Sequence, residues 1–298
     1  MDNSRRPKIG IIGVGMVGAQ MKRYFEEVKG YEQSRDLFLC DTDVTKGYSD
    51  DINNADVIFI SVPTPSSQDG SADLSRLEDS FKRISNEKIV VIRSTVPPRT
   101  TETFQVRYPQ HRVLFNPEFL TARLAWEDFI RPERQIAGFT SSSLEAAHLV
   151  LSLLPKAPFM SPWGVNTNDQ IRIGATEAEI IKYASNIHYF RKVMWANALE
   201  RVAKKFSASH NPLMEVNFDN IRLAMAADFR IGDSHLDVSY GGYRGVGGHC
   251  LPKDLLAFAA QAREMGLEEI ADLLEADWKF NEKLLAEQGL DVKNLKNS

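Results

Sequence analysis

No stretch of this 298-residue chain approaches the ~20 consecutive apolar residues that a membrane-spanning helix needs. Cysteine is nearly missing. Cys40 and Cys250 are too few for a disulfide framework, so a reducing, cytoplasmic setting is expected. The six histidines show no HxxxH or Cys-pair spacing, so no metal site is expected. Lysines and arginines are scattered and the net charge is −4, which gives nucleic acid and membrane surfaces nothing to bind. The opening "MDNSRRPKIGIIGVGMVG" has the basic start of a secretion signal. Its four glycines instead suit a strand and turn, and no small-residue cleavage site follows.

What is there reads as an enzyme-sized globular chain of about two domains. Lys8–Ile12 forms a short apolar strand, followed by Gly13-x-Gly15-x-x-Gly18 and a helix from about Met16 to Glu27. In that order the glycines have distinct tasks. Gly13 permits the tight turn, Gly15 lets backbone approach a pyrophosphate, and Gly18 lets helix pack on strand; the helix start at Met16 and Val17 offers the positive dipole end. The next strand, "LFLCD", ends in Asp41, where an acid can bond the adenosine ribose hydroxyls and repel a 2′-phosphate. That favours NAD over NADP, the plainer alternative being a loop cap. Cys40 reads as a small buried apolar side chain. Strands in "DVIFISVPTP" and "KIVVIRSTVPP" end at Val62, Pro63, Thr64, Pro65 and at Ser94, Thr95, Val96. In a doubly wound sheet such carboxyl ends face the ligand. "RVLF" and "RQIAG" read as later strands and Ser143–Leu154 as an amphipathic helix. Only 14 residues separate Asp41 from Asp56, too few for a second crossover helix and strand, so one sheet edge should be trimmed.

The second half changes character. "TEAEIIKYASNIHYFRKVMWANALERVAKKF" keeps helical spacing from Ala178 to Phe206, with Thr176 and Glu179 as a candidate capping box. Lys182 and Asn186 are four apart and share one helix face; the ordinary reading of such a pair is a solvated surface pair. A helix around Asn217–Ala227 precedes a glycine-rich loop holding Cys250, and the chain is strongly helical again from Lys253. The boundary falls near Trp163–Asp169, dividing the chain into 1–165, a dinucleotide-binding domain, and 166–298, a helical domain carrying the cysteine loop. From residues alone, Cys250 is either a nucleophile or a bystander.

"GVGGHCLPKD" resembles the Gly-x-Gly-Gly-x-Cys-x-Pro-Lys-Asp signature of the UDP-glucose/GDP-mannose dehydrogenases. "GVGMVG", "SVPTP", "STVPPRTT", "NPEFLTA", "AEIIKYASN" and "DFRIG" agree with it in order. The resemblance implies a Rossmann-like NAD-binding domain, trimmed after its second strand, then a mostly helical domain with one long central helix. It implies NAD-dependent oxidation of a nucleotide-sugar alcohol to a carboxylate by two hydride transfers, UDP-glucose being the first candidate. Cys250 would trap the aldehyde and carry the thioester, with Lys182 or Lys253 favouring the thiolate. Lys182 and Asp254 would handle protons and Asn186 would orient them. Thr95 would help hold a water that Glu118 activates. Lys182 and Asn186 thereby move from surface pair to site. Lys253 would also face the cofactor; Glu118, Phe119, Leu120, Lys182, Asn186, Gly247 and Gly248 would line the substrate. Arg230 would reach a neighbouring subunit's site in a homodimer built through the helical half.

There are departures. The glutamate that usually follows "NPEFL" and a small residue is replaced by Ala122. His249 stands where serine or tyrosine is commoner, as in relatives acting on N-acetylhexosamine nucleotides, although Pro252-Lys253-Asp254 matches the glucose and mannose enzymes. Asp237–Arg244 runs a few residues long and would cover the sugar-nucleotide. The chain stops at Ser298, where relatives continue into a third α/β domain that grips the nucleotide. Two further readings therefore stand beside the first: a UDP-N-acetylhexosamine dehydrogenase, and a non-catalytic NAD-binding regulatory or assembly subunit.

Overall fold

The computed structural model describes residues 6–67, 70–162, 171–209, 215–248, 250–292 and 295. The expected boundary at 165/166 and His249 lie outside the described residues. The chain forms two compact units, Met1–Pro65 with Ala72–Lys182, and Ser66–Ser71 with Tyr183–Ser298.

In the first unit, strand Ile9–Ile12 (β1) feeds helix Met16–Arg23 (α1), which runs on as a π-helical turn over Tyr24–Val28. Strands Leu37–Cys40 (β2) and Val57–Ile60 (β3), helix Ser75–Lys82 (α2), strand Ile89–Ile92 (β4), helix Thr100–Arg107 (α3) and strand Arg112–Phe115 (β5) follow. Helix Ala125–Ile130 (α4), strands Arg134–Ile136 (β6) and Gly138–Phe139 (β7), helix Leu144–Leu153 (α5) and strand Phe159–Ser161 (β8) complete it. The main sheet has the order β2-β1-β3-β4-β5-β7, parallel throughout except for β7.

The strands are apolar at nearly every position because both sheet faces are covered. Ile9, Ile11, Leu37, Leu39, Val57, Phe59, Val91 and Leu114 point to one side, against residues of α1 and α5. Ile12, Phe38, Ile58, Ile60, Val90, Ile92, Val113 and Phe115 point to the other, against Leu77, Phe81 and Phe104 of α2 and α3. Each side chain so buried contributes about 1.5–3 kcal/mol.

The trimmed edge is present. Between β2 and β3 the chain makes only two 3-10 turns, Val44–Lys46 and Ile52–Asn54, so β2 ends the sheet. One consequence corrects the reading of Cys40. It is half-buried rather than buried, and its Sγ takes a 3.8 Å contact from the Arg83 guanidinium. The strand expected over "RQIAG" is also two. Arg134–Ile136 pair with β8, whereas Gly138–Phe139 turn to β5, so one segment serves two sheets and breaks at Ala137.

The long helix spans Ala175–Ser209 (α6). Its expected capping box does not form. Thr176 Oγ1 makes no hydrogen bond among the described residues, and Glu177 instead accepts from the Gly174 N–H at 2.7 Å. Glu179 is drawn to another helix start. Its carboxylate accepts from the Arg99 N–H, the Thr101 N–H and the Thr101 hydroxyl at 2.6–2.8 Å, capping α3.

Burial pushes the Glu179 carboxyl up to about 7 against the pull of those donors. The folded state thus holds the proton more tightly than the unfolded chain, whose group keeps its ordinary value of 4.5. The resulting stability is largest below about 4.5 and is lost as pH rises through about 7. Urea unfolding of wild type and Glu179→Gln should show a difference that declines by roughly 3 kcal/mol across that window. A difference that does not vary with pH would contradict this account.

The second unit contains the rest of α6 with helices Phe218–Ala226 (α7), Cys250–Glu264 (α8) and Glu268–Ala286 (α9). Tyr183, Ile187, Phe190 and Met194 of α6 pack with Leu255, Ala257 and Ala259 of α8 and Leu274 and Leu284 of α9. Asn217 caps α7, its Oδ1 accepting from the Asp219 N–H.

Candidate active site

Two of the three loop glycines, Gly13 and Gly18, leave no room for a side chain. Gly13 has φ +87°, and a Cβ on Gly18 would lie 2.0 Å from the Gly13 carbonyl oxygen. The first position therefore needs a residue without a Cβ clash at positive φ, and the last lets α1 close on the turn. A Cβ on Gly15 would meet nothing within 4 Å, which leaves the open approach a pyrophosphate requires. Gly15 and Met16 are exposed at that opening, with Val17 half-buried beside them.

Asp41 sits at the end of β2 and is tied into the loop. Its Oδ2 accepts from the Val14 N–H at 2.7 Å and from Lys46 Nζ at 2.9 Å, and its Oδ1 from the Asp43 N–H. Burial pushes this carboxyl up, but those donors and the lysine charge hold it below the usual carboxylate range. Lys46 was unassigned from the sequence. It neutralises part of the charge credited with repelling a 2′-phosphate, and its signal was its place within the shortened link. Where β3 and β4 end, two loops are stitched together. Ser94 Oγ donates to the Val62 carbonyl and Thr64 Oγ1 to the Thr95 carbonyl, both at 2.7 Å. Pro63 and Pro65 lie on the first of these loops. The residues expected at the cofactor from both strands are thus held as one rim.

The first unit also brings Glu118 and Lys182 together. Both are buried, and Lys182 Nζ meets Glu118 Oε1 at 2.8 Å and donates to the Glu118 carbonyl at 2.7 Å. Glu118 Oε2 accepts from the Leu120 N–H at 2.8 Å. Burial alone would push the Glu118 carboxyl up; Lys182, the Leu120 N–H and the Arg93 charge together bring it below its ordinary value. Phe119 lies under the Arg134 guanidinium at 3.7 Å. Ala122 is exposed in a 3-10 turn, Ala122–Leu124.

In the second unit Asn186 Nδ2 donates to Asp254 Oδ2 at 2.5 Å, and both residues are buried. Their burial and that of Lys182 overturn the solvated-pair reading. Lys253 Nζ lies 2.6 Å from Asp254 Oδ1 without hydrogen-bond alignment, so its charge is already engaged within the second unit. Cys250 is not in the loop but is the first residue of α8, with its side chain exposed. Pro252 falls in the first turn, where the missing N–H costs no helical bond.

What aims the cysteine loop is Asn281, deep in α9. Its Oδ1 accepts from the Val246 N–H at 2.7 Å and its Nδ2 donates to the Val246 carbonyl at 2.9 Å. Gly245, at φ +101°, has Asn281 Oδ1 2.7 Å from where a Cβ would stand. Gly247 and Gly248 follow, leading into α8. An amide inside the apolar stripe "WKFNEKLL" was the legible signal for Asn281. Arg230 is not drawn to these residues. It is exposed, and Asp228 accepts its backbone N–H and two N–H groups of its guanidinium.

The glycine loop, the acid at the end of β2 and the paired loops at the carboxyl ends of β3 and β4 define a dinucleotide-binding Rossmann domain. Its residues fit an NAD. Residues 26–151 match the NAD binding domain of the UDP-glucose/GDP-mannose dehydrogenase family and residues 176–283 match its central domain; the chain belongs to that family. It is 31% identical to the UDP-glucose 6-dehydrogenase AglM of Haloferax volcanii over 236 residues, 74% of this chain and 51% of that one. It is 33% identical to the UDP-glucose 6-dehydrogenase of Pseudomonas aeruginosa over 258 residues, 82% of this chain and 52% of that one. It therefore spans about half the length of these curated relatives. A UDP-glucose dehydrogenase structure from Pyrobaculum islandicum superposes with a TM-score of 0.74 at 26% identity, covering 97% of this chain and 72% of that one. The UDP-D-ManNAc dehydrogenase of Pyrococcus horikoshii shares the fold, with a TM-score of 0.71 at 21% identity over 95% of this chain and 70% of that one. Among the described residues no helix is long and apolar enough to cross a membrane, and no metal-binding group of side chains occurs.

Proposed function

We propose that this protein oxidises the terminal alcohol of a nucleotide-sugar, UDP-glucose first among candidates, to the carboxylate. The observation that carries the reading is Cys250 at the start of α8, one turn before an Asp254 already paired with Asn186. NAD, held by the glycine loop and Asp41, would supply the hydride acceptor for each of the two oxidations, one cofactor molecule for each. Lys182, Asn186 and Asp254 move or hold the alcohol proton in the first. The Cys250 thiolate then adds to the aldehyde carbon, so the intermediate stays attached until it is oxidised to the thioester. Glu118 takes a proton from a water positioned with Thr95; that water displaces the sulfur and leaves the carboxylate. Phe119, Leu120, Gly247 and Gly248 line the substrate, and Lys253 faces the cofactor. An exposed nucleophilic thiol also suits a reducing cytoplasm.

The test is incubation with NAD and a panel of UDP- and GDP-sugars, following absorbance of the reduced cofactor. We expect two NADH per sugar for one panel member. A UDP-N-acetylhexosamine as that member would install the second substrate class. No turnover with any member despite measurable NAD binding would reject the enzyme reading in favour of a regulatory subunit.

We also propose a homodimer through the helical half. Trp195, Val202 and Phe206 are 52–58% exposed at helical spacing on α6, and Leu223 and Phe229 are exposed on and after α7. Arg230 would then serve the neighbouring site. Sedimentation should give twice the chain mass of 33.6 kDa; a monomer at micromolar concentration would reject this.

A further inference from the structure

Arg93 is a buried arginine whose charge has no adjacent acid. It ends the apolar run of β4, is 4% exposed, and its Nε makes no hydrogen bond among the described residues. None of the described acids lies within ion-pair distance of it. Burying a guanidinium in that state is costly unless an anion stands nearby. Its head is fixed all the same. Nη1 donates to Asn116 Oδ1, and Asn116 is itself clamped, its Nδ2 donating to the Ile136 carbonyl at 2.6 Å and to Gln135 Oε1 at 3.3 Å. The Asn116 N–H also donates to the Ile92 carbonyl, so three neighbouring strand ends hold the guanidinium. Phe129 forms its floor, 5.7 Å from ring centre to charge.

Two residues after Asn116 comes Glu118, and the mutual influence is reciprocal. Burial lowers Arg93 to about 10 while the Glu118 charge pulls it back up, and Arg93 in turn helps to keep Glu118 ionised. The charged groups around Glu118 are Lys182 from α6 and Arg93 just after β4, with Arg134 from β6 over the adjoining Phe119 ring. Only Lys182 touches the carboxylate. In the proposed reaction Lys182 must serve the substrate, and a buried carboxylate that loses its single contacting cation takes up a proton and ceases to be a base.

We propose that Arg93, buried and held by Asn116 two residues before Glu118, is a positioning residue whose charge keeps Glu118 a base while Lys182 is engaged elsewhere. An arginine suits the task because it stays protonated even when buried, where a lysine can lose its proton. This rests on the dehydrogenase reading for what Glu118 does, but not for the electrostatic link itself.

Two measurements separate the two. In the ligand-free protein carrying Lys182→Met, which removes the contacting cation, Glu118 is titrated by carboxylate-selective ¹³C NMR. Arg93→Gln, which keeps a donor for Asn116 but no charge, should raise the Glu118 midpoint by about one pH unit. Arg93→Lys should leave it within about half a unit. With Lys182 intact, the loss of thioester hydrolysis in Arg93→Gln should approach about tenfold only as the pH falls below the Glu118 midpoint, and should vanish at about pH 9. A midpoint unmoved by Arg93→Gln overturns the proposal. So does an equal loss of rate at all pH values, the mark of a purely structural role. If Arg93→Gln does not fold, Arg93→Lys decides alone: a displacement of a unit or more with the charge retained overturns it. A titration that moves as expected in a protein without turnover leaves the link standing and rejects only the reaction assigned to it.

Discussion

Cys250→Ser should release one NADH per site and then stop. Serine can add to an aldehyde but gives no stable ester-forming intermediate at a comparable rate, so the second oxidation should fall by about 10³-fold or more. Rapid-quench counting of reduced cofactor per active site would show the first oxidation surviving. Mass spectrometry of the wild type under substrate should find the sugar acyl group on the peptide beginning at Cys250, and none on the variant. Two NADH per sugar from Cys250→Ser at near wild-type rate would remove the sulfur from the mechanism. The stability of the variant should match wild type, since the side chain at 250 is exposed at a helix start and supports no core.

The second large effect concerns the buried pair. Lys182→Met strands Glu118 with one backbone donor and the Arg93 charge, and breaking a buried ion pair from one side costs about 3–5 kcal/mol. With Arg93 still present the loss should fall near the lower figure, about 3 kcal/mol. That corresponds to a melting temperature lower by roughly 6–12 °C. The double variant Glu118→Gln/Lys182→Met should recover part of that stability while remaining inactive, because the stranded carboxylate is gone and only Arg93 stays buried without an anion. Calorimetry of the two variants checks it. If the single variant melts with wild type, the pair stabilises nothing and the site argument loses its electrostatic basis.

Such opposite behaviour at Cys250 and Lys182 reflects how differently the two were legible. Cys250 stood out because its neighbours are unusual: paired glycines before it, Leu-Pro-Lys-Asp after it. Lys182 did not, since an i,i+4 polar pair on a helix is most often solvated. Its neighbours include Glu118 and Phe119, some sixty residues earlier in the chain, and helical periodicity carries no information about what lies against a face. Glu179 shows the same limit. Read locally it belonged to its own helix start, but α3 offered it three donors and a buried position. Local capping lost to a tertiary partner.

By itself the amino-acid order determined the parallel sheet, the glycine turn, the trimmed edge and the long helix. These follow from continuous apolar runs and patterns of period 3.6, from the geometry only glycine can adopt, and from the length a crossover needs. Only the tertiary structure decided that Lys46 leans on Asp41, that Asn281 sets the backbone before Cys250, and that Arg93 lies buried near Glu118. Each depends on residues brought together from separate elements, where burial strengthens charge and hydrogen bonding far beyond what either segment signals alone.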